Sequence, residues 1–483
     1  MLIRTRLTLH TRSALGLGLC ALALGGCAER RAAAPTPEPQ LTLEQSRACV
    51  ASFDKVWELV RDRHWDPALG GLDWNAVRDE LRPQAENATT LSAARRAMNQ
   101  MIARLGQSHF QIIAGDAYVD VDAPSRTDDG AAPAGADPRS KSSAESPKKS
   151  RDGGPGFDCR PIDGQLVVTR VEPGSHAAEQ GVRPGWVLTR IGGEPVQPLI
   201  DRLANAYANS SLRELMGGAA FRGRMLGPPG ETLELDFLDA DDRPLTKTLA
   251  RTAPRGVRVQ LGHLPPMHVW FESRRLDGGV GYIAFNLFMD PGTLMPSIEK
   301  AVAEFQDAPG IVLDIRGNVG GIGGMAPGIT GWFVERTDPL GQMTTRQGAL
   351  RFAVNPRAPG YRGPLAVLID GASLSTAEIL AGGLKDLGRA RLFGSRTGGA
   401  ALPSVVEKLP NGDVFQYAIA DYVSAGGERL EGVGVAPHEP IALTRVTLLR
   451  DPDPVLSAAV KWILSQGAAK SVALRAAADS THD

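Results

Sequence analysis

The chain has 483 residues, enough for two or three domains that each bury a substantial core. Its 53 basic and 54 acidic side chains nearly balance, which excludes the strong positive charge typical of a nucleic-acid-binding protein. The hydrophobic content of 42% is ordinary for a globular protein, and the four cysteines lack the spacing of a metal site, so no metal cofactor is expected.

The first predicted element is an export signal at residues 1–27. Three arginines precede an apolar stretch, residues 14–24, that is too short to span a bilayer comfortably. The following Leu24-Gly-Gly-Cys27 resembles the lipobox of bacterial lipoproteins, which implies cleavage before Cys27 and a lipid anchor on its thiol. The alternative is an ordinary secretory signal with a chance cysteine. Either way we expect an exported protein, and the lipobox implies a lipid-anchored protein of the cell envelope, on the periplasmic side of a bacterial membrane.

Two thiols remain after such processing, Cys49 and Cys159. In an oxidising compartment they could pair. A disulfide requires a suitable geometry, so the sequence leaves this pairing open.

A tether, a helical region and a linker follow the signal. Residues 28–44 are rich in Ala, Pro and Thr and predict a tether. Residues 45–120 predict a helical region, because apolar side chains such as Phe53, Val56 and Val60 recur at helical spacing. Residues 121–154 lose this periodicity to Asp, Ser, Lys, Gly and Pro, and they predict a disordered linker.

Residues 155–255 predict a second, β-rich module. A strand at 165–171, a short helix at 176–180 and a turn–strand–turn at 181–193 resemble the core of a PDZ domain, with Trp186 where that pattern usually has Asp. Residues 197–227 resemble an inserted helical segment, and period-two strands return at 232–237 and 245–250. A PDZ groove adds an extended peptide to a sheet edge and often captures its C-terminal carboxylate, so polypeptide partners are implied. The alternative is a module used only for packing or gating.

Residues 265–467 predict an α/β core, followed by a flexible tail at 468–483. Apolar strands at 279–285, 310–315 and 365–369 alternate with helices at 294–305 and 376–387, and this alternation is typical of an α/β fold.

Two turns of this core carry side chains and amides suited to acyl transfer. Ser375 stands between the strand at 365–369 and the following helix, where helix amides favour a developing negative charge. Ser375-Thr-Ala-Glu378 is also a helix capping box, which is the structural alternative. The turn Asp314-Ile-Arg-Gly-Asn-Val-Gly-Gly321 has three glycines, which allow close approach of a substrate backbone and free amides for an oxyanion.

Three segments (residues 314–321, 373–378 and 394–399), downstream of a PDZ-like module, resemble the C-terminal processing peptidase and tricorn-core family. The resemblance implies a crotonase-like α/β peptidase core, with the PDZ-like β-rich domain and the N-terminal helical region attached. It implies that Ser375 is the nucleophile. It also implies an oxyanion hole formed by the Thr376 amide and the amide of Gly320 or Gly321.

The general base distinguishes two branches of that family. The processing-peptidase branch uses a lysine, but the matching position here is Ala400, and the next lysine, Lys408, lies in another segment. The tricorn-like branch uses a Ser-His pair near the end of the helical region, here Ser108 and His109. A histidine with a near-neutral pKa can accept the serine proton and return it to the leaving amine. His64, His263, His268 and His438 remain as rivals, and a capped core histidine is the structural alternative.

An acidic residue completes the tricorn-like set. Glu431, in the segment 430–435, matches that position, and Ser108 is expected to bridge it to the histidine. Glu428 is a nearby competitor, and a solvated loop carboxylate is the structural alternative.

The sequence therefore predicts a serine endopeptidase or processing peptidase of the envelope that acts through Ser375, His109, Ser108 and Glu431 without a metal or organic cofactor. Two alternatives stay open. The first is a non-catalytic, lipid-anchored protein that binds peptides or apolar ligands on the same fold. The second is a serine esterase, because ester hydrolysis uses the same groups.

Overall fold

A computed structural model of the chain describes residues 38–115, 151–207 and 212–479, with side chains up to residue 466. The predicted signal, Cys27, residues 28–37 of the tether and most of the predicted linker lie outside these ranges. In the described ranges, no helix is both long enough and apolar enough to span a membrane.

The N-terminal region packs three helices against a short strand. The first helix begins after Thr42, whose hydroxyl accepts from the Gln45 amide at 3.2 Å, while the Gln45 side chain accepts from the Thr42 amide at 2.9 Å. Phe53, Val56 and Val60 face inward, as their spacing predicts. The elements are α1 (Leu43–Arg63), α2 (Trp74–Glu86), α3 (Leu91–Ala103) and β1 (Gln111–Ile113).

The second module is a twisted antiparallel sheet with helices on its flank. Its strands follow the order β2-β3-β4-β6-β7, with β5 paired to β4. The described contacts of this module begin at Gly153 and Gly154, which bridge to Gly227 and Thr252, just ahead of the predicted start at residue 155. The elements are β2 (Phe157–Ile162), β3 (Gln165–Val171), α4 (His176–Glu179), β4 (Val187–Ile191), β5 (Glu194–Pro195), α5 (Gln197–Ala206), α6 (Arg213–Met225), β6 (Thr232–Leu238) and β7 (Pro244–Ala250). An antiparallel pair, β8 (Val257–Val259) and β9 (Met267–Val269), then leads to the core.

The core is built on a six-stranded sheet in the order β10-β11-β12-β15-β16-β20, parallel from β11 onward. Its central strands are apolar throughout because helices cover both faces of the sheet. Its elements are β10 (Phe271–Arg275), β11 (Gly281–Phe285), α7 (Pro291–Glu304), β12 (Ile311–Asp314), α8 (Met325–Thr330), β13 (Pro339–Thr345), β14 (Gly348–Ala353), β15 (Leu365–Ile369), α9 (Thr376–Asp386), β16 (Arg391–Gly394), β17 (Ser404–Lys408), β18 (Val414–Ala418), β19 (Asp421–Ser424), β20 (Glu439–Pro440), α10 (Arg445–Arg450) and α11 (Pro454–Asp479).

Two smaller sheets extend the core. One has the order β14-β13-β19. The other has the order β1-β18-β17 and therefore joins the N-terminal region to the core. The neighbouring parallel strands β12 and β15 end side by side, and the turns after them carry the glycine-rich segment and Ser375. Sites in open α/β sheets form at this carboxyl edge.

One detail differs from the sequence predictions, and one question that the sequence left open is answered. The tail predicted to be flexible from residue 468 is helical through Asp479, since its many alanines have high helix propensity and extend α11. Cys49 and Cys159 are unpaired, because Cys49 lies in α1 of the N-terminal region and Cys159 in β2 of the second module, each buried there.

Candidate active site

Ser375 occupies a sharp turn between β15 and α9. Its backbone has φ 55° and ψ −118°, a conformation that non-glycine residues adopt only when the surroundings enforce it. Its amide donates to Ala400 O at 2.8 Å and to Glu378 Oε2 at 3.0 Å. The side chain therefore stands at the start of a helix, on a backbone fixed by two acceptors.

The glycine-rich turn passes directly beside this serine. A Cβ atom on Gly320, which has φ 93°, would lie 2.7 Å from Ser375 Cβ and 2.9 Å from the Thr376 amide nitrogen. Only a residue without a side chain fits there. The Gly320 amide already donates to Asn318 Oδ1 at 2.9 Å. In contrast, the Gly321 and Thr376 amides donate no hydrogen bond within the described residues. Of the two glycines predicted for an oxyanion hole, Gly321 has the free amide.

Ser108, His109 and Glu431 meet although more than 300 residues separate the first two from the third. Glu431 Oε1 accepts from the Ser108 amide at 2.8 Å, and Glu431 Oε2 accepts from the Ser108 hydroxyl at 2.8 Å. The same hydroxyl oxygen lies 2.8 Å from His109 Nδ1. The predicted bridge from carboxylate through serine to imidazole is thus present as a chain of hydrogen bonds.

This chain fixes the tautomer of His109. The Ser108 hydroxyl has one proton and donates it to the carboxylate, so its oxygen must accept from a protonated Nδ1. The lone pair of the ring is then on Nε2. Burial lowers the pKa of His109 to about 4, and the ring is neutral at neutral pH, as a general base must be.

Burial raises the pKa of Glu431, whereas it lowers that of His109. Burial disfavours the charged form of each group, which is the deprotonated form of a carboxyl and the protonated form of an imidazole. The pKa of Glu431 is raised, although hydrogen bonds from Ser108 and from the Ala401 amide at 3.1 Å lower it. Glu428, the competitor, is exposed and contacts Ser424 through its own backbone.

The other candidates for the base are engaged elsewhere or exposed. His64 is buried and bonds to Gln107 Oε1 and Asp66 O, both at 2.9 Å. His268 lies 3.6 Å from Asp152, and His438 is exposed. Ala400 is buried next to Ser375, whereas Lys408 is exposed on β17. Within the described residues, no hydrogen bond joins the His109 ring to the Ser375 hydroxyl; such contacts often tighten only when substrate binds.

Glu378 organises this site to an extent that its sequence context did not predict. Its side chain is fully buried and accepts from Thr397 Oγ1 at 2.6 Å and from the amides of Gly399, Ala400 and Ser375 at 2.8 to 3.0 Å. Burial raises the pKa of Glu378 to about 7, although these hydrogen bonds lower it. Its place three residues after the serine was a signal, but the capping-box interpretation explained it locally.

Two protein-family models match segments of this chain. Residues 279–441 match the family model for peptidase family S41, and residues 51–103 match the tricorn protease C1 domain. The chain is 25% identical to the putative tricorn protease homolog 2 of Streptomyces coelicolor, over 86% of this chain but only 32% of that protein. It therefore spans about a third of that relative's length.

A second relative is matched over most of its length. The carboxyl-terminal-processing protease of a Synechocystis species is 25% identical over 84% of this chain and 82% of that protein. Among solved structures, the photosystem II D1 C-terminal processing protease matches 83% of this chain and 94% of its own, with a TM-score of 0.50 and 21% identity. At that identity the match concerns the fold alone.

Proposed function

We propose that this chain hydrolyses peptide bonds through Ser375, His109, Ser108 and Glu431. The premise is that it is a serine-type peptidase of the C-terminal processing peptidases, in peptidase family S41. The observation that carries this proposal is the hydrogen-bonded chain from Glu431 through Ser108 to His109 Nδ1. A histidine held in this way presents Nε2 as a base.

In the proposed reaction, Ser375 Oγ attacks the substrate carbonyl carbon while His109 Nε2 accepts the hydroxyl proton. The carbonyl oxygen becomes an oxyanion, and the free amides of Gly321 and Thr376 donate to it. His109 then gives its proton to the leaving amine, and an acyl ester remains on Ser375. Water, deprotonated by the same ring, attacks this ester, and the ring then returns the proton to Ser375 Oγ as the carboxylic product leaves. The negative charge of Glu431, hydrogen-bonded to the Ser108 hydroxyl that contacts the ring, stabilises the imidazolium in both steps.

A fluorophosphonate probe tests the mechanism without a known substrate. We expect the wild type to be labelled on Ser375 and the Ser375→Ala variant to lose labelling and peptide cleavage, the latter by at least about 10⁴-fold. The matched control is Ser457→Ala, since Ser457 is an exposed serine of α11 and its loss should change neither readout. Peptide cleavage by Ser375→Ala at the wild-type rate would contradict the mechanism, and a folded wild type that is never labelled would favour the non-catalytic binder.

Polypeptides are the proposed substrates, and the PDZ-like module is proposed to recognise their C-termini. Turnover of matched peptide and ester substrates separates this function from the serine esterase. A peptidase should cleave unfolded polypeptides, in particular those with apolar C-termini, in a manner that depends on Ser375. Hydrolysis of esters alone would select the esterase.

The proposed location is the cell envelope, with a lipid anchor on Cys27. The supporting observation is the sequence of residues 1–27, with its basic start, short apolar stretch and lipobox-like end. A labelled fatty acid should be incorporated into the wild type and not into Cys27→Ser, and a wild type that incorporates none would contradict the anchor.

A further inference from the structure

The turn at residues 397–401 is held by two carboxylates. The Gly399 and Ala400 amides donate to Glu378 Oε1 and Oε2, at 2.8 and 2.9 Å. The next amide, that of Ala401, donates to Glu431 Oε2 at 3.1 Å. Three consecutive amides of one turn are therefore shared between Glu378 and the acidic residue of the proposed catalytic set.

The same turn is bonded to the nucleophile. The Ser375 amide donates both to Ala400 O and to Glu378 Oε2. A continuous path of hydrogen bonds then runs from Ser375 through the turn to Glu431, and from Glu431 through Ser108 to His109. This path connects the two reacting groups, which come from separate regions of the chain.

We propose that Glu378, as a carboxylate, is the positioning residue that sets the nucleophile Ser375 against its base His109 through this turn. The inference deepens the proposed function and rests on it. It also gives position 400 a role. The processing-peptidase branch has its lysine base at that position. In this chain the backbone amide of Ala400 instead donates to Glu378, and its carbonyl accepts from the Ser375 amide.

The arrangement depends on the charge of Glu378. As a carboxylate it has acceptors for all four donors, whereas a protonated carboxyl would direct a proton at one of them. The groups that face it are Thr397 and the amides of Ser375, Gly399 and Ala400. In the described part of the chain no cation is among its partners, since Arg396 of the same turn is exposed and donates to the carbonyls of Val433 and Gly434.

The raised pKa of Glu378 supports this dependence. With that pKa at about 7 and the pKa of His109 at about 4, the site should lose its organisation on acidification well before the base is protonated. The acidic limb of activity should therefore fall near pH 7 and belong to Glu378.

Thr397 gives a test that leaves Glu378 in place. Its hydroxyl lowers the pKa of Glu378 by donating to the carboxylate, so Thr397→Val should raise that pKa and move the acidic limb to higher pH, while Thr397→Ser should restore it. The measurement is the rate of fluorophosphonate labelling of Ser375 between pH 4 and 10 on the full chain. We expect an upward shift of the limb by about half a pH unit or more in Thr397→Val, with the plateau at high pH retained within a few-fold.

A second variant, Glu378→Gln, removes the titrating group. We expect its labelling to lose the limb near pH 7 and to have a plateau lowered by about 10-fold or more, because one amide oxygen cannot serve four donors. If this variant fails to fold, the comparison of Thr397→Val with Thr397→Ser still tests the inference. Coincident profiles for the wild type and Thr397→Val, with Ser375 labelled in both, would overturn the inference and leave the proposed function standing. Absence of labelling at every pH would overturn both.

Discussion

Ser375 and His109 both have left-handed backbone conformations, with φ of 55° and 60°. Side chains are disfavoured there, so the surroundings must compensate. For Ser375 the compensation comes from the Ala400 carbonyl and Glu378. For His109 it comes from the neighbouring Ser108, which Glu431 holds through both its amide and its hydroxyl. The strain lies at the two groups that are proposed to exchange a proton.

The titration of His109 and Glu378 affects stability in opposite directions. Burial lowers the pKa of His109 from 6.5 to about 4, so its contribution to stability is present above pH 6.5 and is lost as the pH falls through about 4. Burial raises the pKa of Glu378 from 4.5 to about 7, so its contribution is present below pH 4.5 and is lost as the pH rises through about 7. Folding thus favours the neutral form of a glutamate that the proposed catalysis needs charged.

The linkage of His109 predicts a stability difference. The free energy of unfolding of the wild type, relative to His109→Gln, should fall by about 3 kcal/mol between pH 6.5 and 4, because the unfolded histidine binds a proton that the buried ring resists. Urea unfolding at several pH values measures this difference. The comparison variant is His438→Gln, at an exposed residue whose pKa is also lowered by partial burial, so its difference should have the same sign but be smaller. A pH-independent difference for His109→Gln would contradict the lowered pKa.

At the scale of elements, the docking of the N-terminal region onto the core places His109, the proposed base, beside Glu431. Strand β1, which begins two residues after His109, pairs with β18 of the core. Helix α3 is bound to the β17–β18 hairpin by a buried ion pair, in which Arg95 Nη2 lies 2.7 Å from Asp413 Oδ1. Asp413 also accepts from the Gly115 amide at 2.8 Å. The α1–α3 helices and the hairpin share one apolar core.

Removing the buried carboxylate should loosen this docking. We expect Asp413→Asn to lower the free energy of unfolding by about 3 kcal/mol, since Arg95 loses its ionised partner, and to slow labelling of Ser375 because His109 is held less firmly. Denaturant unfolding and labelling rates provide the measurements. The matched control is Asp62→Asn, in the exposed pair with Arg61, which should change stability by less than about 0.5 kcal/mol. Equal effects of the two substitutions would show that the docking is held by apolar contacts alone.

The elements of the core were predictable because each has a strong local pattern. The strand at 365–369 was predicted with its observed bounds, and the helices after it and at 291–304 differ by a few residues at their ends. Their apolar runs and flanking turn residues are local properties. The helical part of residues 468–479 was not predicted, although its alanines have high helix propensity.

The residues of the candidate site that stand in short sequence motifs were predictable. The residues whose roles depend on contacts formed on folding were not. Ser375, Ser108, His109 and Glu431 each stand in a short recognisable segment. The choice between Gly320 and Gly321 required the position of the Asn318 side chain. The role of Glu378 required the turn at 397–400, which lies beside it only after folding. Hydrogen bonds to backbone amides have no sequence signature, so the role of Glu378 is visible only in the three-dimensional structure.

At the scale of the whole molecule, the second module meets the core next to the glycine-rich turn and the turn that carries Ser375. A cavity of about 1260 Å³ lies between them, lined by residues of both. Arg160 of β2 forms ion pairs with Glu214 of α6 and with Asp370 of the core, the latter at 2.5 Å. Asp370 Oδ1 in turn accepts from the Gly317 amide at 2.9 Å and the Ala372 amide at 3.0 Å. The Asp370 carboxylate therefore joins the glycine-rich turn, the turn that carries Ser375 and the second module.

Arg160 should for this reason affect catalysis from outside the proposed catalytic set. Arg160→Gln removes the cation that faces the buried Asp370, so we expect both turns to be held less firmly and Ser375 labelling to slow by about 10-fold or more. The matched control is Arg222→Gln, an arginine of α6 in the same module that pairs with Asp158 and has no partner in the core among the described residues; its labelling rate should match the wild type. Thermal unfolding of both variants separates loss of fold from loss of coupling, because coupling requires slow labelling of Arg160→Gln at temperatures where it is fully folded. Labelling of folded Arg160→Gln at the wild-type rate would show that the second module is attached to the core without influencing the candidate site.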